Sequence, residues 1–481
     1  MLFRLLWALF ANVVLNLLVA PLWLLSRLRR PRRVLLRLEG VIPEHPPASP
    51  WWRRYRGASV QQVCELVDAI IAEPKACGLV LVLGRLQVGL ATLESLRLAL
   101  AKLREAEGKE LVVHLEDVGT RELVLAAGAH RLFIAEGALL DLRGLALELG
   151  FYGGALARLG VEVETLQTGP YKNAGERLTR ESISAAQREV LDRFLDVVYG
   201  RLVAQIAAGR GLSEEQVRGL IDAGPYDGDQ AVALGLCDAS VPREGLLRLL
   251  AALDQGAELA ESVSAELALL AHGQDADERK RPGREAPVMT PRAFLRRWRP
   301  RFRPFLAPKV IAVVPLEGAI HGGQGGGLGA STIGDRSTRR LLAALARQRR
   351  VAAVVLHIDS RGGSASASDH IWAGVRDLAA RKPVVGVMAN VAASGGYYIA
   401  SACDAIYATP QTITGSIGVI AARFSIDGLL RRLGVGTAVL ARGRRAALYG
   451  VRQPLSGDDA ADDRRQAVHD IVAHAYERFL G

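Results

Sequence analysis

Cysteine is scarce in this chain of 481 residues, and the four present, Cys64, Cys77, Cys237 and Cys403, are scattered. They form no CxxC pair and have no histidine at metal-ligand spacing. That argues against a zinc site and a disulfide framework and leaves buried reduced thiols as the reading. Aromatic residues are also few, at 5%. Acidic residues fall short of basic ones, which gives a formal net charge of +11. Such a balance suits nucleic acid, an acidic membrane surface or neither. No recognisable nucleic-acid motif accompanies the charge, so no nucleic-acid partner is expected. Much of the excess lies in two arginine runs, one at Arg27, Arg29, Arg30, Arg32 and Arg33 and one between Arg292 and Arg303. Phe294, Trp298 and Phe302 interleave the second, a mix that suits single-stranded nucleic acid or a basic segment lying on a membrane.

Near the N-terminus the stretch Leu5 to Leu25 holds 21 consecutive residues without a charge and includes Asn12, Asn16 and Pro21. About 20 apolar residues span a bilayer as a helix. No small-residue cleavage site follows, so residues 1–30 read as an uncleaved membrane anchor, with an interfacial helix as the alternative. The arginines after the stretch outweigh Arg4 before it, and the positive-inside rule then puts the body in the cytoplasm.

The rest of the chain repeats itself. Leu38–Ile42 matches Leu316–Ile320, Leu79–Leu83 matches Val354–Ile358, Leu111–His114 matches Val384–Val387, and Leu156–Val161 matches Leu430–Val435. A nearly constant offset over four blocks indicates two copies of one domain. Each copy alternates short β-branched runs with helical stretches, the order of parallel βαβ units and an α/β class. The expected boundaries are a first domain over 31–262, a Gly-, Pro- and Arg-bearing linker over 263–308 with one amphipathic helix, and a second domain over 309–481.

Chemistry is concentrated at three turns. The run Val354–Ile358 leads into Asp359-Ser360-Arg361-Gly362-Gly363-Ser364 and then a helix. Glycines there aim backbone N–H groups at an anionic oxygen, or serve steric needs alone. The next strand leads to Ala392-Ala393-Ser394-Gly395-Gly396-Tyr397. Ser394 reads as a nucleophile presented with little steric cover, or as a helix cap. A serine nucleophile needs a base. His357 within a strand and His370 on a helix are candidates in less telling settings. Lys172, in Tyr171-Lys172-Asn173-Ala174, is another, because burial lowers an amine pKa, although a loop lysine is ordinarily solvated. The copies differ at these positions. The first has Thr120 where the second has Ser394, and Gln87-Val88 where the second has Gly362-Gly363. The second has Arg444-Arg445 near the place of Lys172, and arginine cannot serve as a base. A complete site therefore needs Lys172 from the first copy and Ser394 from the second.

These residues, AASGGY at 392–397, TGSIG at 414–418, DSxGG at 359–363 and YKNA at 171–174, together with the two-copy layout, resemble the signal peptide peptidase A family in its long tandem-domain form. The resemblance covers nearly everything from about residue 35 onward. It implies a tandem crotonase-like, Clp-protease-like α/β spiral. It also implies Ser394 as nucleophile, Lys172 as general base, Ser416 orienting the lysine, and the Gly363 and Gly395 N–H groups as an oxyanion hole. Cleaved signal peptides would be the substrates, with no metal or nucleotide cofactor. A membrane-attached homo-oligomer, a homotetramer, would be the assembly. A single pass through the bacterial cytoplasmic membrane with a periplasmic body follows from the family, against the arginine reading. The chain departs from the family at Arg361, where proline is usual. That departure motivates a second reading, a catalytically impaired membrane scaffold on the same fold. A third, an acyl-CoA enzyme on a crotonase-like fold, predicts carboxylates at the glycine loops, where Asp359 alone is found.

Overall fold

The computed structural model describes residues 32–46, 58–271, 285–298, 309–326, 332–455 and 459–480. The chain forms two compact units, one from residues 1–145 and 198–308 and one from residues 146–197 and 309–481.

The first unit is built on a six-stranded parallel sheet, in the order Val288–Met289, Arg32–Gly40, Ala76–Leu86, Glu110–Leu115, Arg131–Ile134 and Ala239–Ser240. Its central strands are buried on both faces, with Leu79, Val80, Leu81, Leu83, Val112 and Val113 fully covered. That is why they read as continuous apolar runs without alternation. Helix Val60–Ala72 starts at Ser59, whose hydroxyl accepts from the Gln62 N–H while the Gln62 side chain returns the bond. The reciprocal pair satisfies two donors that a helix start leaves open.

A parallel sheet also organises the second unit, in the order Val310–Glu317, Val351–Ser360, Val384–Ala393 and Ala405–Ala408. Strand Ile413–Gly415 pairs with the far end of Val384–Ala393. Its core centres on Val354, Leu356, Ile358, Ile371, Val375, Val384 and Ile399. A separate antiparallel pair joins Glu162–Gln167 to Ile420–Ser425, with Leu166 opposite Ala421.

The mixed α/β class with parallel sheets agrees with the sequence expectation and with a Clp-protease-like fold. Two features differ from the sequence division. Segment 146–197, which carries Lys172, packs with the second unit because its strand pairs with Ile420–Ser425. Leu156–Val161 and its matching segment Leu430–Val435 thus lie in one unit, where Gly160 O accepts from the Leu429 N–H at 2.8 Å. Part of the expected linker is also structured. Val288–Met289 adds an edge strand to the first sheet, and Phe294 on helix Pro291–Trp298 is buried. No helix among the described residues is long and apolar enough to cross a membrane. The expected anchor over 1–30 lies outside the described residues.

Candidate active site

Ser394 stands at the junction of strand Val384–Ala393 and helix Gly395–Ala400, with φ 53° and ψ −117°. A non-glycine residue pays for that conformation in strain, of order 1–3 kcal/mol. Two hydrogen bonds and close backbone packing impose it. The Ser394 N–H donates to Gly415 O at 2.9 Å, and the Tyr398 N–H donates to Ser394 O at 2.9 Å. Gly395 and Gly396 pack too closely for side chains: a Cβ on the first would lie 2.3 Å from Ser368 Oγ, and one on the second 2.7 Å from Ser360 O. The small residues flanking Ser394 are therefore required by packing as well as by access.

The glycine turn after strand Val351–Ser360 lies against this segment. A Cβ on Gly362 would come within 2.7 Å of the Gly395 N and 2.9 Å of Ser394 Cβ. Ile320 clamps the turn from the other side, donating its N–H to Gly362 O and accepting from the Ser364 N–H. Gly363 sits at φ 155°, in bridge contact with Ile320. Arg361 directly precedes Gly362, which still packs against the Ser394 loop.

Lys172 precedes a short 3-10 turn, Asn173–Gly175, and is 6% exposed. Its Nζ donates to Ser416 O at 2.5 Å and to Ser416 Oγ at 3.0 Å. Burial pushes its pKa below the ordinary lysine value, because desolvation penalises the ammonium form. Ser416 follows Gly415, whose carbonyl holds the Ser394 N–H. Lys172 and Ser394 are thus both tied to the two-residue segment Gly415-Ser416. Asp335 accepts from His370 Nδ1 at 2.8 Å, and His357 is buried within its strand.

Thr168, three residues before the YKNA motif, and Gly418, at the end of TGSIG, complete the lysine's support. Thr168 Oγ1 accepts from the Val419 N–H at 3.0 Å. A Cβ on Gly418 would strike that oxygen at 2.5 Å and lie 3.5 Å from Lys172 Cδ. Only glycine lets the two loops close at this point.

The first unit is arranged differently at the positions that the sequence offset pairs with these. Thr120 Oγ1 donates to Arg143 O at 2.8 Å and accepts from the Arg143 N–H. Beside it the buried Glu122 carboxylate accepts from the Leu86 N–H at 2.6 Å and the Gly119 N–H at 2.8 Å. A fixed anion already takes these donors. The arrangement stabilises the turn and leaves those two N–H groups unavailable to a reacting oxygen. No cluster of histidine, cysteine and carboxylate side chains fit to hold a metal ion occurs among the described residues.

A family model, peptidase family S49, matches residues 104–256 and 376–481. A chloroplastic serine protease SPPA of Arabidopsis thaliana is 28% identical over 477 residues, 98% of this chain and 65% of that protein. Protease 4 of Haemophilus influenzae is 26% identical over 463 residues, 93% of this chain and 70% of that protein. Protease 4 of Salmonella typhi is 29% identical over 342 residues, 70% of this chain and 51% of its own length. The chain therefore spans between half and 70% of the length of these relatives.

Proposed function

The chain belongs to peptidase family S49, and on that premise we propose a Ser/Lys peptidase in which Ser394 attacks the peptide carbonyl and Lys172 is the general base. Family and relatives alike support a serine peptidase. One observation supports the finer assignment: a buried lysine amine, with no carboxylate partner among the described residues, is held at Ser416 directly beside the residue that anchors the Ser394 backbone.

The chemistry follows from those groups. Neutral Lys172 takes the Ser394 Oγ proton as the oxygen bonds to the carbonyl carbon. The negative charge on the carbonyl oxygen is stabilised by the Gly363 and Gly395 N–H groups. Lys172 then returns its proton to the amine as the peptide C–N bond breaks, and water hydrolyses the acyl-enzyme by the reverse use of the same base. Ser416 orients the amine through its hydroxyl and carbonyl. A solvated lysine would be roughly 99.9% protonated at neutral pH and useless in this role, so its burial is what the mechanism requires. The substrate class is hydrophobic peptides such as cleaved signal peptides. The setting is a membrane-anchored homo-oligomer at the bacterial cytoplasmic membrane.

An active-site fluorophosphonate tests the assignment. Folded wild type should be labelled, Ser394→Ala should not be, and Lys172→Ala should be labelled orders of magnitude more slowly. Labelling of Ser394→Ala at the wild-type rate, or a Lys172→Ala variant as reactive as wild type, sinks the dyad.

A further inference from the structure

Away from the candidate active site, helix Asp335–Arg347 and helix Ala365–Ala379 pack together within the second unit. Gly374 permits their close approach: a Cβ there would lie 3.3 Å from Arg339 Cγ. Between the helices runs an open groove of about 460 Å³. Leu342, Ala346 and Leu378 contribute its apolar lining, and its charged lining is five arginines, Arg336, Arg339, Arg340, Arg347 and Arg381, against one carboxylate, Asp377.

Structure alone does not account for this charge. Spacings of three, four and eleven residues put Arg336, Arg339, Arg340 and Arg347 on one helix face. A merely solvated face would intersperse acids four residues away to pair with them. Here the helix's one acid, Asp335, is already engaged by His370 and by the Gly323 N–H. All five arginines are exposed, and none forms an ion pair among the described residues. Lys382 adds another cation at the helix end, where it caps Leu345 O and Gln348 O.

Guanidinium groups bind phosphate through paired N–H donors. The groove's shape then selects among phosphate carriers. No aromatic side chain lines it, so it lacks the platforms on which single-stranded nucleic acid stacks. Its arginines are exposed and spread over three helical turns, with no buried cradle for one small phosphate. A row of exposed cations on one helix face matches a plane of anionic headgroups. The same chain carries the charge-free stretch Leu5 to Leu25, which suits the same surroundings.

We infer that the groove between helices Asp335–Arg347 and Ala365–Ala379 is a docking surface for anionic phospholipid headgroups. The inference does not depend on the peptidase assignment and can fail or stand without it.

Hydrogen exchange of the full chain in lipid nanodiscs tests it. Discs of phosphatidylcholine are compared with discs of phosphatidylcholine and phosphatidylglycerol in equal parts. Amides of residues 335–347 and 374–381 should exchange more slowly only with the anionic lipid. A triple variant, Arg339→Gln, Arg340→Gln and Arg347→Gln, should weaken this engagement on the order of a hundredfold, which erases the protection. Its circular dichroism spectrum and melting midpoint should match those of wild type, a check that it folds. Equal exchange in both discs overturns the inference, as does protection that survives in the triple variant. Protection by inorganic phosphate or by an oligothymidine without lipid also overturns it, since either would assign the groove to a different ligand.

Discussion

Lys172 Nζ lies 3.0 Å from Ser416 Oγ although 244 positions separate the two residues in the chain. The contact exists because strand Glu162–Gln167 pairs with strand Ile420–Ser425, which brings the loop after the first strand against the loop before the second. Strand pairing, rather than a local motif, thus delivers the amine to the serine-bearing segment.

That delivery has a consequence for pH. Burial depresses the Lys172 pKa in the folded chain, whereas in the unfolded chain it returns to ~10.4. Catalysis needs the neutral amine, so the rate should rise with pH through the depressed value and level off before the ordinary lysine range. Stability should follow the same direction. Between the two pKa values the unfolded state binds more protons, so wild-type stability increases with pH, by about 1.4 kcal/mol for each unit of depression. Lys172→Met lacks this contribution. Chemical denaturation of both proteins across neutral to alkaline pH should show wild type gaining on the variant. A constant difference between them would mean that the folded amine titrates normally.

Strain at Ser394 leads to a separation of function from stability. Its φ of 53° suits glycine, and no hydrogen bond to the Ser394 side chain compensates among the described residues. Ser394→Gly and Ser394→Ala both remove the hydroxyl, and both should be inactive. Only glycine relieves the backbone, so Ser394→Gly should be more stable than Ser394→Ala by on the order of 1 kcal/mol. Melting curves of the two inactive proteins decide the matter, and a lower midpoint for the glycine variant would show that the turn is unstrained.

Much of the second unit's chemistry is legible in the sequence because it is local. Val354–Ile358 is apolar apart from His357, and it lies largely buried between two parallel neighbours. The glycines after it and after Ser394 mark turns where backbone atoms approach within side-chain distance. Such features leave residue types at fixed offsets. The antiparallel pairing that carries Lys172 leaves no such trace. Glu162–Gln167 is largely half-exposed, and Ile420–Ser425 buries Arg423 and Ser425 while exposing Phe424, so neither strand's polarity announces its partner. The edge strand Val288–Met289 is only two residues long, too short to show a period, and therefore reads as linker. Glu122 in the first unit illustrates a third kind of gap. Its carboxylate bonds two backbone N–H groups 36 and 3 positions away, a role that a lone acid between apolar residues does not reveal.

The far side of the serine-bearing helix supplies a further prediction. Tyr398, whose N–H bonds Ser394 O, is buried and stacks on Phe479 of the C-terminal helix Asp459–Leu480 with ring centroids 4.5 Å apart. Its hydroxyl lies 2.8 Å from both Asp369 Oδ1 and Arg478 O, and Asp369 also accepts from Arg478 at 2.7 Å. Burial pushes the Asp369 pKa up, but the Tyr398 and Arg478 hydrogen bonds outweigh it and hold the carboxyl below the usual range. Burial and Asp369 together push Tyr398 to about 12. Helix Gly395–Ala400 is only six residues long, so this lock fixes its direction and with it the Ser394 backbone. Phe479→Ala and Asp369→Asn should each slow fluorophosphonate labelling on the order of tenfold, since small displacements of a nucleophile carry large kinetic costs. The Lys172-dependent pH profile should keep its shape, because neither residue touches the amine. Tyr398→Phe, which retains the stacked ring, should lose less than Phe479→Ala. Labelling at the wild-type rate in both Phe479→Ala and Asp369→Asn would show that the C-terminal helix stabilises the unit without positioning the serine.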